Sequence, residues 1–256
     1  MRIVVLIKPG PELEESDSRA VEAALRIARR RIDVCVSVMT AGAPECLPAL
    51  RAALALGADE AVHVLDDELS GTDALALSRV LAAAVRRHGF DVALCGAESE
   101  TPNLDAIPVM LAERLGVPAL CHAEAVRADA GGGDGGADQA GKAGGAGAGE
   151  IIVVCDEDGD VVERAAAPPL LVSVTDRAPA PRYPAFSAVV EARRKLIRTW
   201  TPDELGIDPA SVRRHAAATV VSTVQCARAG TIVSAGPDPR AAAAQLADFL
   251  AARRFW

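Results

Sequence analysis

The sequence predicts an α/β protein with a doubly wound parallel sheet, and three observations support this prediction. Apolar, strand-like runs alternate with helical periods from the N-terminus, the order typical of a parallel sheet covered by helices on both faces. Glycines stand where three helices should end, at Gly57, Gly89 and Gly116. Hydrophobic residues make up 50% of the 256 residues, which is enough for one large core.

The first part of the chain contains four predicted strands, at residues 2–7, 33–39, 60–65 and 91–95. Between them, apolar residues recur at the i, i+3, i+4 spacing of a buried helix face. They are Val21, Ala24, Leu25 and Ala28 in the first helix, Leu47, Leu50 and Leu54 in the second, and Leu77, Val80, Leu81 and Val85 in the third. Thr72 is the candidate N-cap of the third helix.

More strands and one glycine-rich segment follow. A polar loop leads into a helix through Leu115, and strands are predicted at residues 119–127, 150–155, 161–164 and 170–175. Ten of the 21 glycines lie between Gly131 and Gly149. We expect the Gly/Ala-rich insertion at residues 129–149 to be a flexible hairpin tip, with a mobile lid as the alternative.

The composition changes after residue 176. Residues 177–209 are rich in proline and charge, and a last helix is predicted at residues 239–254. We therefore expect a core at residues 1–176 and a recognition loop with an extended C-terminal arm at residues 177–256. Four of the arm's aromatic residues are Tyr183, Phe186, Trp200 and Trp256. Unless the arm packs on another chain, these rings would be exposed at some cost.

Charge and cysteine usage argue against several classes of protein. A net charge of −8 disfavours a general nucleic-acid or anionic-membrane surface. No apolar run approaches the roughly 20 residues that cross a bilayer, and the N-terminal strand lacks a signal-peptide cleavage region, so we expect a cytoplasmic protein without membrane insertion. The six cysteines are scattered without a CxxC pair, which indicates neither a metal site nor a disulfide framework.

The sequence offers no catalytic group in a known context. The motifs GxxxxGK[ST] and GxSxG are absent. Paired carboxylates at Asp66 and Asp67 and at Asp156 and Asp158 lie near predicted turns, which explain them. The four histidines, for which a structural role is favoured, are His63, His88, His122 and His215. We expect no catalytic residue.

A binding site is predicted at the carboxyl ends of the strands. In an open parallel sheet, ligands bind beyond these ends where the strand order reverses, and a following helix N-terminus can bind phosphate. The residues at this edge are Lys8 and Pro9, then Thr40, Ala41 and Gly42, then Gly96, Ala97, Glu98, Ser99 and Asn103. From the pattern alone, nucleotide-binding loops and ordinary βα loops both remain open.

Several segments resemble the electron-transfer flavoprotein beta subunit family. They include IVVLIKPGPE, LPALRAALALGADEAVHV, FDVALCGAES, DEDGDVVERAAAPPLLVSVTDRAPAPRYPAF, EARRKLIRTW and DELGID. Their order and the PRYP arm ending in DELGID are the most specific features. The chain is thus identified as a diverged member of this family.

The resemblance implies a Rossmann-like core of the adenine-nucleotide-binding type with an extra β-hairpin. It implies a heterodimer with an alpha subunit that holds the redox-active FAD, and an AMP or a second FAD in the beta subunit. Such a carrier moves electrons from flavin dehydrogenases to an acceptor. The beta chain would frame the FAD and dock the donor dehydrogenase, without catalytic residues of its own.

The family's recognition loop follows the PRY motif and docks on partner dehydrogenases. The corresponding docking residues here are Tyr183, Pro184, Ala185, Phe186 and Val189, with Phe186 as the apolar anchor. An exposed aromatic on a proline-braced loop suits an interface hot spot. Asp156 falls where the family places an acidic residue that steadies the flavin domain; a turn carboxylate is the alternative.

Two departures from the family pattern weaken the nucleotide prediction. A short segment at residues 11–18 replaces the longer hairpin after the first strand. Where the family places small and amide side chains against the AMP phosphate, this chain has Pro102, Asn103, Leu104, Asp105 and Ala106. An aspartate there would repel phosphate, although backbone donors remain.

Two other hypotheses therefore stay open. The chain could be a diverged scaffold subunit that binds no nucleotide, which the altered loop supports. It could also be a stand-alone nucleotide-binding regulatory protein of the same fold. The PRYP arm argues against this second hypothesis, because a free-standing module has little need for a tail that exposes aromatics.

Overall fold

Strands and helices alternate along the described part of the chain. The computed structural model describes residues 1–69, 73–97, 105–129, 149–208 and 238–253. Its strands are β1 (Arg2–Leu6), β2 (Cys35–Gly42), β3 (Glu60–Leu65), β4 (Val92–Gly96), β5 (Ala119–Ala123), β6 (Ala125–Ala128), β7 (Ile151–Glu157), β8 (Asp160–Ala166), β9 (Leu170–Val174) and β10 (Ile197–Trp200). Its α-helices are α1 (Glu15–Ala28), α2 (Leu47–Leu56), α3 (Ala74–His88), α4 (Ile107–Leu115), α5 (Phe186–Arg194) and α6 (Pro239–Ala252). Described residues up to 208 form one compact unit, and α6 belongs to another.

The main sheet has seven parallel strands in the order β10-β3-β2-β1-β4-β9-β5. Strand β1 lies between β2 and β4, and Leu6 is in register with Met39 on one side and Cys95 on the other. The strand order reverses between β1 and β4, as it does in a doubly wound sheet. The predicted fold class is therefore confirmed, and the reversal places the candidate site at the carboxyl ends of these two strands.

Helices cover both faces of this sheet. Ile3 and Val5 point into a core with α1, α2 and α5, whereas Val4 and Leu6 point into a second core with α3 and α4. The predicted C-caps Gly57, Gly89 and Gly116 are confirmed. The apolar positions predicted for the first three helices are buried or half-buried, except Leu47, which begins α2 and is exposed.

The N-cap of α3 is Asp73, whose carboxylate accepts a hydrogen bond from the Ala76 amide at 2.9 Å. The sequence predicts Thr72 as this cap, but Thr72 lies outside the described residues. Aspartate and threonine are both favoured N-cap residues, so residue type alone leaves two adjacent candidates open.

A small antiparallel sheet with the order β6-β7-β8 packs beside the main one. The strand predicted at residues 119–127 is divided into β5 and β6. His122 has a φ of 58°, in the left-handed region, and the pairing with β9 shifts register between Leu120 and Ala123. The predicted hairpin tip falls almost wholly on residues 130–148, which are outside the described part.

Residues 177–208 contribute more to the core than the sequence indicated. They form α5 and β10, neither of which we predicted, and β10 extends the main sheet beside β3. Lys195 Nζ donates to the Ala58 carbonyl at 2.6 Å, and Arg51 Nη1 donates to the Ala192 carbonyl at 2.6 Å. Strand β10 has only four residues and lies in a charged, proline-rich stretch, so its alternation of apolar and polar residues is too short to predict a strand. That the arm also packs on a partner subunit stays a prediction.

Trp200 is half-buried rather than exposed. It packs against the core of α3 and α4, and the guanidinium of Arg87 lies 5.0 Å from its ring centre. Arg198 in the same strand forms an ion pair with Glu60 at 3.0 Å. Burial alone would raise the pKa of Glu60, but the hydrogen bond from Ser37 and the charges of Arg198 and His88 lower it. These contacts hold β10 on the sheet. Trp256 lies outside the described residues.

Candidate functional site

Lys8, directly beyond β1, is held by acidic and polar side chains from the start of α1. Its Nζ donates to Asp17 Oδ1 at 2.8 Å and to Ser16 Oγ at 3.0 Å, and it lies 3.4 Å from Glu14 Oε2. The Lys8 side chain is 9% exposed. Burial acts to lower the pKa of Lys8, but the nearby carboxylates of Asp17 and Glu14 outweigh it and raise the pKa. The ammonium therefore stays charged and paired.

Asp17 accepts hydrogen bonds from backbone amides at the ends of β1 and β4, the two strands on either side of the reversal point. Its side chain is fully buried. Oδ2 accepts the Lys8 backbone N–H at 2.8 Å, and Oδ1 accepts the Gly96 N–H at 3.3 Å. The next amide, that of Ala97, donates to the Val174 carbonyl at 2.8 Å. The described backbone donors at the end of β4 are therefore engaged within the chain.

The space around Gly96 is small. A Cβ atom there would lie 2.4 Å from Ser16 Oγ, 2.6 Å from Asp17 Oδ1 and 2.7 Å from Lys8 Nζ. A cavity beside Gly96, Lys8 and Pro9 measures about 20 Å³ among the described residues. That volume holds about one water molecule. Glycine is needed here because α1 approaches the strand so closely.

The end of β2 contains a second group of polar atoms. Thr40, Ala41 and Gly42 are buried, and Thr40 Oγ1 has no hydrogen-bond partner in the described part of the protein. His63 lies opposite Thr40 in the β2–β3 register and donates from Nε2 to the Gly42 carbonyl at 2.9 Å. Burial lowers the pKa of His63, although the carbonyls of Gly42 and Ala43 and the charge of Glu45 oppose this. His63 is therefore neutral near pH 7.

The loop before α4 is only partly described. Asp105 and Ala106 are exposed, and Ala106 caps α4 without a side-chain hydrogen bond. The other predicted loop residues, which lie outside the described ranges, are Glu98, Ser99, Pro102, Asn103 and Leu104. Their contact with a phosphate stays a prediction.

The predicted docking residues lie together on the surface. The Tyr183 side chain is fully exposed, and Phe186, the first residue of α5, is 83% exposed. Tyr183, Pro184 and Val189 line a groove of about 860 Å³ between α2 and α5, and Ala185 caps α5 beside it. The other lining residues include the apolar Leu13, Pro48, Leu56 and Pro181, the basic Arg51, Arg182 and Arg193, and the acidic Glu12 and Glu15. The groove therefore offers an apolar floor with charged side chains of both signs along it.

Asp156 is half-exposed near the end of β7, just before the turn that leads into β8. Its Oδ1 accepts the Gly159 N–H at 2.9 Å, as a turn carboxylate does. Its Oδ2 lies 3.3 Å from Arg177 Nη1, which also lies 3.2 Å from Glu124 Oε1. The turn interpretation is thus confirmed, and contact with a flavin domain stays a prediction.

The sequence did not single out the three residues that surround Lys8, namely Glu14, Ser16 and Asp17. Acidic residues are common in the first turn of a helix, where they interact favourably with its dipole. That pattern gives no sign of which one turns inward. The closest signal was Gly96 at the end of a strand, which indicates that something approaches it.

A search of the described residues for metal ligands and for membrane spans gave no candidates. No group of three or more His, Cys, Asp or Glu side chains is placed to hold a metal ion. No helix within the described ranges has the length and apolarity needed to cross a membrane.

Comparison with known proteins identifies the sequence family. A family model for the electron transfer flavoprotein domain matches residues 3–205. The electron transfer flavoprotein subunit beta of Mycobacterium tuberculosis is 31% identical over 77% of this chain and 69% of its own length. That of Thermoanaerobacterium thermosaccharolyticum is 27% identical over 91% and 92%. The caffeyl-CoA reductase-Etf complex subunit CarD of Acetobacterium woodii is 30% identical over 82% and 73%.

Gly96→Ala should lower the free energy of unfolding by about 1–3 kcal/mol, because the new methyl group forces Ser16, Asp17 and Lys8 apart. Urea denaturation measures this change. Gly10→Ala is the matched control, since no atom lies within 4 Å of a Cβ built there. A Gly96 variant as stable as the control would contradict the close packing.

His63 should make the protein less stable in weak acid. Its pKa is lowered in the folded state, so below a pH of about 6.5 the unfolded chain binds the proton more readily and the free energy of unfolding falls. We expect His63→Gln to flatten this dependence between pH 7.5 and 5.5 in urea titrations. His122→Asn, which changes an exposed histidine, should leave the slope unaltered. An unchanged slope in the His63 variant would exclude this source of acid sensitivity.

Proposed function

The chain belongs to the electron transfer flavoprotein family, and from this premise we propose that it is the beta subunit of a heterodimeric carrier. Its alpha subunit would hold most of the FAD, and flavin dehydrogenases would reduce that FAD. The beta chain would serve by positioning: it frames the FAD and presents a docking surface to the donor. A cytoplasmic location is part of this proposal.

The observation that carries the proposal is the exposed aromatic pair beside an apolar groove, in a chain that matches the family over residues 3–205. Phe186 stands at the free N-terminal end of α5, and Tyr183 precedes it on the proline-rich segment. Large aromatic side chains that become buried on binding contribute much of the binding free energy at many protein interfaces. A donor that covers both rings would bring its flavin to this side of the carrier.

The proline residues and α5 hold the surface of Tyr183 and Phe186 in one conformation before a donor binds. Ala192 of α5 is buried in the core, and Arg51 of α2 holds the end of α5 through the Ala192 carbonyl. A preformed surface loses less conformational entropy on binding than a flexible loop does. The anchor residue is therefore displayed on a rigid element.

FAD supplies the redox chemistry when it is bound, and the residues of this chain supply only its surroundings. No acid–base or covalent step is assigned to the described residues. For AMP, the described residues do not fit a phosphate between β1 and β4. Lys8 and the amides of Lys8 and Gly96 already serve Asp17. The start of α4 is another described part of the edge, where a phosphate could meet backbone donors.

The engagement of Lys8 and of the Lys8 and Gly96 amides by Asp17 favours a second candidate function, a scaffold subunit without its own nucleotide. Such a chain would still pair with the alpha subunit and dock the donor. It would differ from the first candidate only in what the beta subunit binds.

Co-expression with the alpha subunit tests these proposals. The complex is purified, denatured, and its nucleotides are identified and counted. One FAD with one AMP per heterodimer supports a carrier with a nucleotide in each subunit, two FADs indicate a bifurcating carrier, and FAD alone indicates the scaffold. If the chain is stable but forms no heterodimer, the proposed function is wrong.

Phe186→Ala should leave the heterodimer and its FAD intact while weakening donor docking. The loss of an exposed aromatic anchor should raise the carrier concentration needed for half-maximal reduction by the donor about tenfold. Ile32→Ala is the control, because Ile32 is 91% exposed and stands outside the groove. Equal kinetics for both variants would show that Phe186 is not the anchor.

A further inference from the structure

The crevice at the reversal point contains an anion that belongs to the chain itself. We propose that Asp17 occupies the phosphate position between β1 and β4 and excludes phosphorylated ligands from it. The phosphate of any nucleotide bound at this edge would then lie elsewhere. This inference concerns ligand selection in this chain and does not depend on electron transfer or on the alpha subunit.

The hydrogen bonds of Asp17 are those that a phosphate oxygen would make. In open parallel sheets, ligands sit beyond the strand ends where the order reverses, and backbone N–H groups and a cation hold the phosphate. Here the available donors are the Lys8 N–H, the Gly96 N–H and the Lys8 ammonium. The Asp17 carboxylate accepts all three with its two oxygens.

The charge around Lys8 also opposes a second anion. The ammonium is balanced by Asp17 at 2.8 Å, and Glu14 lies 3.4 Å away on the same nitrogen. Two carboxylates therefore lie beside the one ammonium. A phosphate that entered would be repelled rather than attracted, and burial strengthens that repulsion because water screens it less.

Space leads to the same conclusion. Asp17 is fully buried, and the neighbouring cavity of about 20 Å³ is too small for a phosphate. Asp17 could leave only if the Lys8 and Gly96 amides lost their acceptor and the Lys8 ammonium kept only Ser16 and Glu14 as partners. Unpaired buried donors are costly, so the carboxylate holds its place against a ligand that competes for it.

Removing this carboxylate should convert the crevice into an anion site. Asp17→Ala deletes three acceptor contacts and opens space next to the Lys8 ammonium and the Lys8 and Gly96 amides. The variant should be less stable than the wild type in chloride. Since a ligand that binds only the folded state stabilises it, inorganic phosphate should restore part of the loss.

The test compares thermal unfolding midpoints of the full chain in sodium phosphate and in sodium chloride at equal pH and ionic strength. We expect the wild-type midpoint to be the same in both salts within about 1 °C, and that of Asp17→Ala to be higher in phosphate by about 5 °C. Where the variant does not fold in chloride, refolding in phosphate, followed by circular dichroism, gives the same contrast.

Two control variants make the result specific. Asp17→Ala with Lys8→Met should lose the response to phosphate, because the cation is gone. Asp91→Ala removes another carboxylate that accepts a β1 amide, that of Arg2 at 2.7 Å, at the opposite end of the strand. It should be destabilised without a response to phosphate.

Three results would overturn the proposal. The first is a wild-type chain that phosphate stabilises as strongly as the variant. The second is rescue of Asp17→Ala by acetate but not by phosphate, which would make Asp17 a structural carboxylate only. The third is a variant that stays unfolded in both salts.

Discussion

The arrangement of the site depends on the buried pair of Lys8 and Asp17. A buried ion pair is tolerated only when hydrogen bonds satisfy the remaining polar atoms, and here both carboxylate oxygens and the ammonium are satisfied. Through Asp17 the first turn of α1 is tied to the ends of β1 and β4. The pair thereby fixes how closely the helix approaches the sheet, and Gly96 provides the room.

This constraint separates two parts of the molecule. The carboxyl ends of β1 and β4 are closed by the chain's own groups, whereas the surface with Tyr183 and Phe186 is open and apolar. A subunit that works by positioning needs a rigid frame and an exposed contact surface more than it needs reactive groups. The described part of this chain has both features.

The residues beyond 176 show where the pattern was insufficient. Helix α5 and strand β10 are short, and the strand of four residues carries charge and a half-buried tryptophan. Their stability comes from contacts distant in sequence, such as Arg198 with Glu60 and Arg87 with Trp200. Local propensity contains no information on such partners, so these elements could be found only in the folded chain.

The sequence by itself determined the doubly wound fold, three helix C-caps, the buried faces of the first three helices apart from Leu47, and the family. The fold and the helices could be predicted because periodicity and residue type are local properties of the sequence. The family could be identified because its motifs occur in the same order in this diverged chain. Only the tertiary structure decided that Asp17 turns inward to Lys8 and that residues 177–208 join the core. Both depend on which side chains meet in the folded chain. Acidic residues in the first turn of a helix give the same sequence pattern whether they face water or a buried lysine.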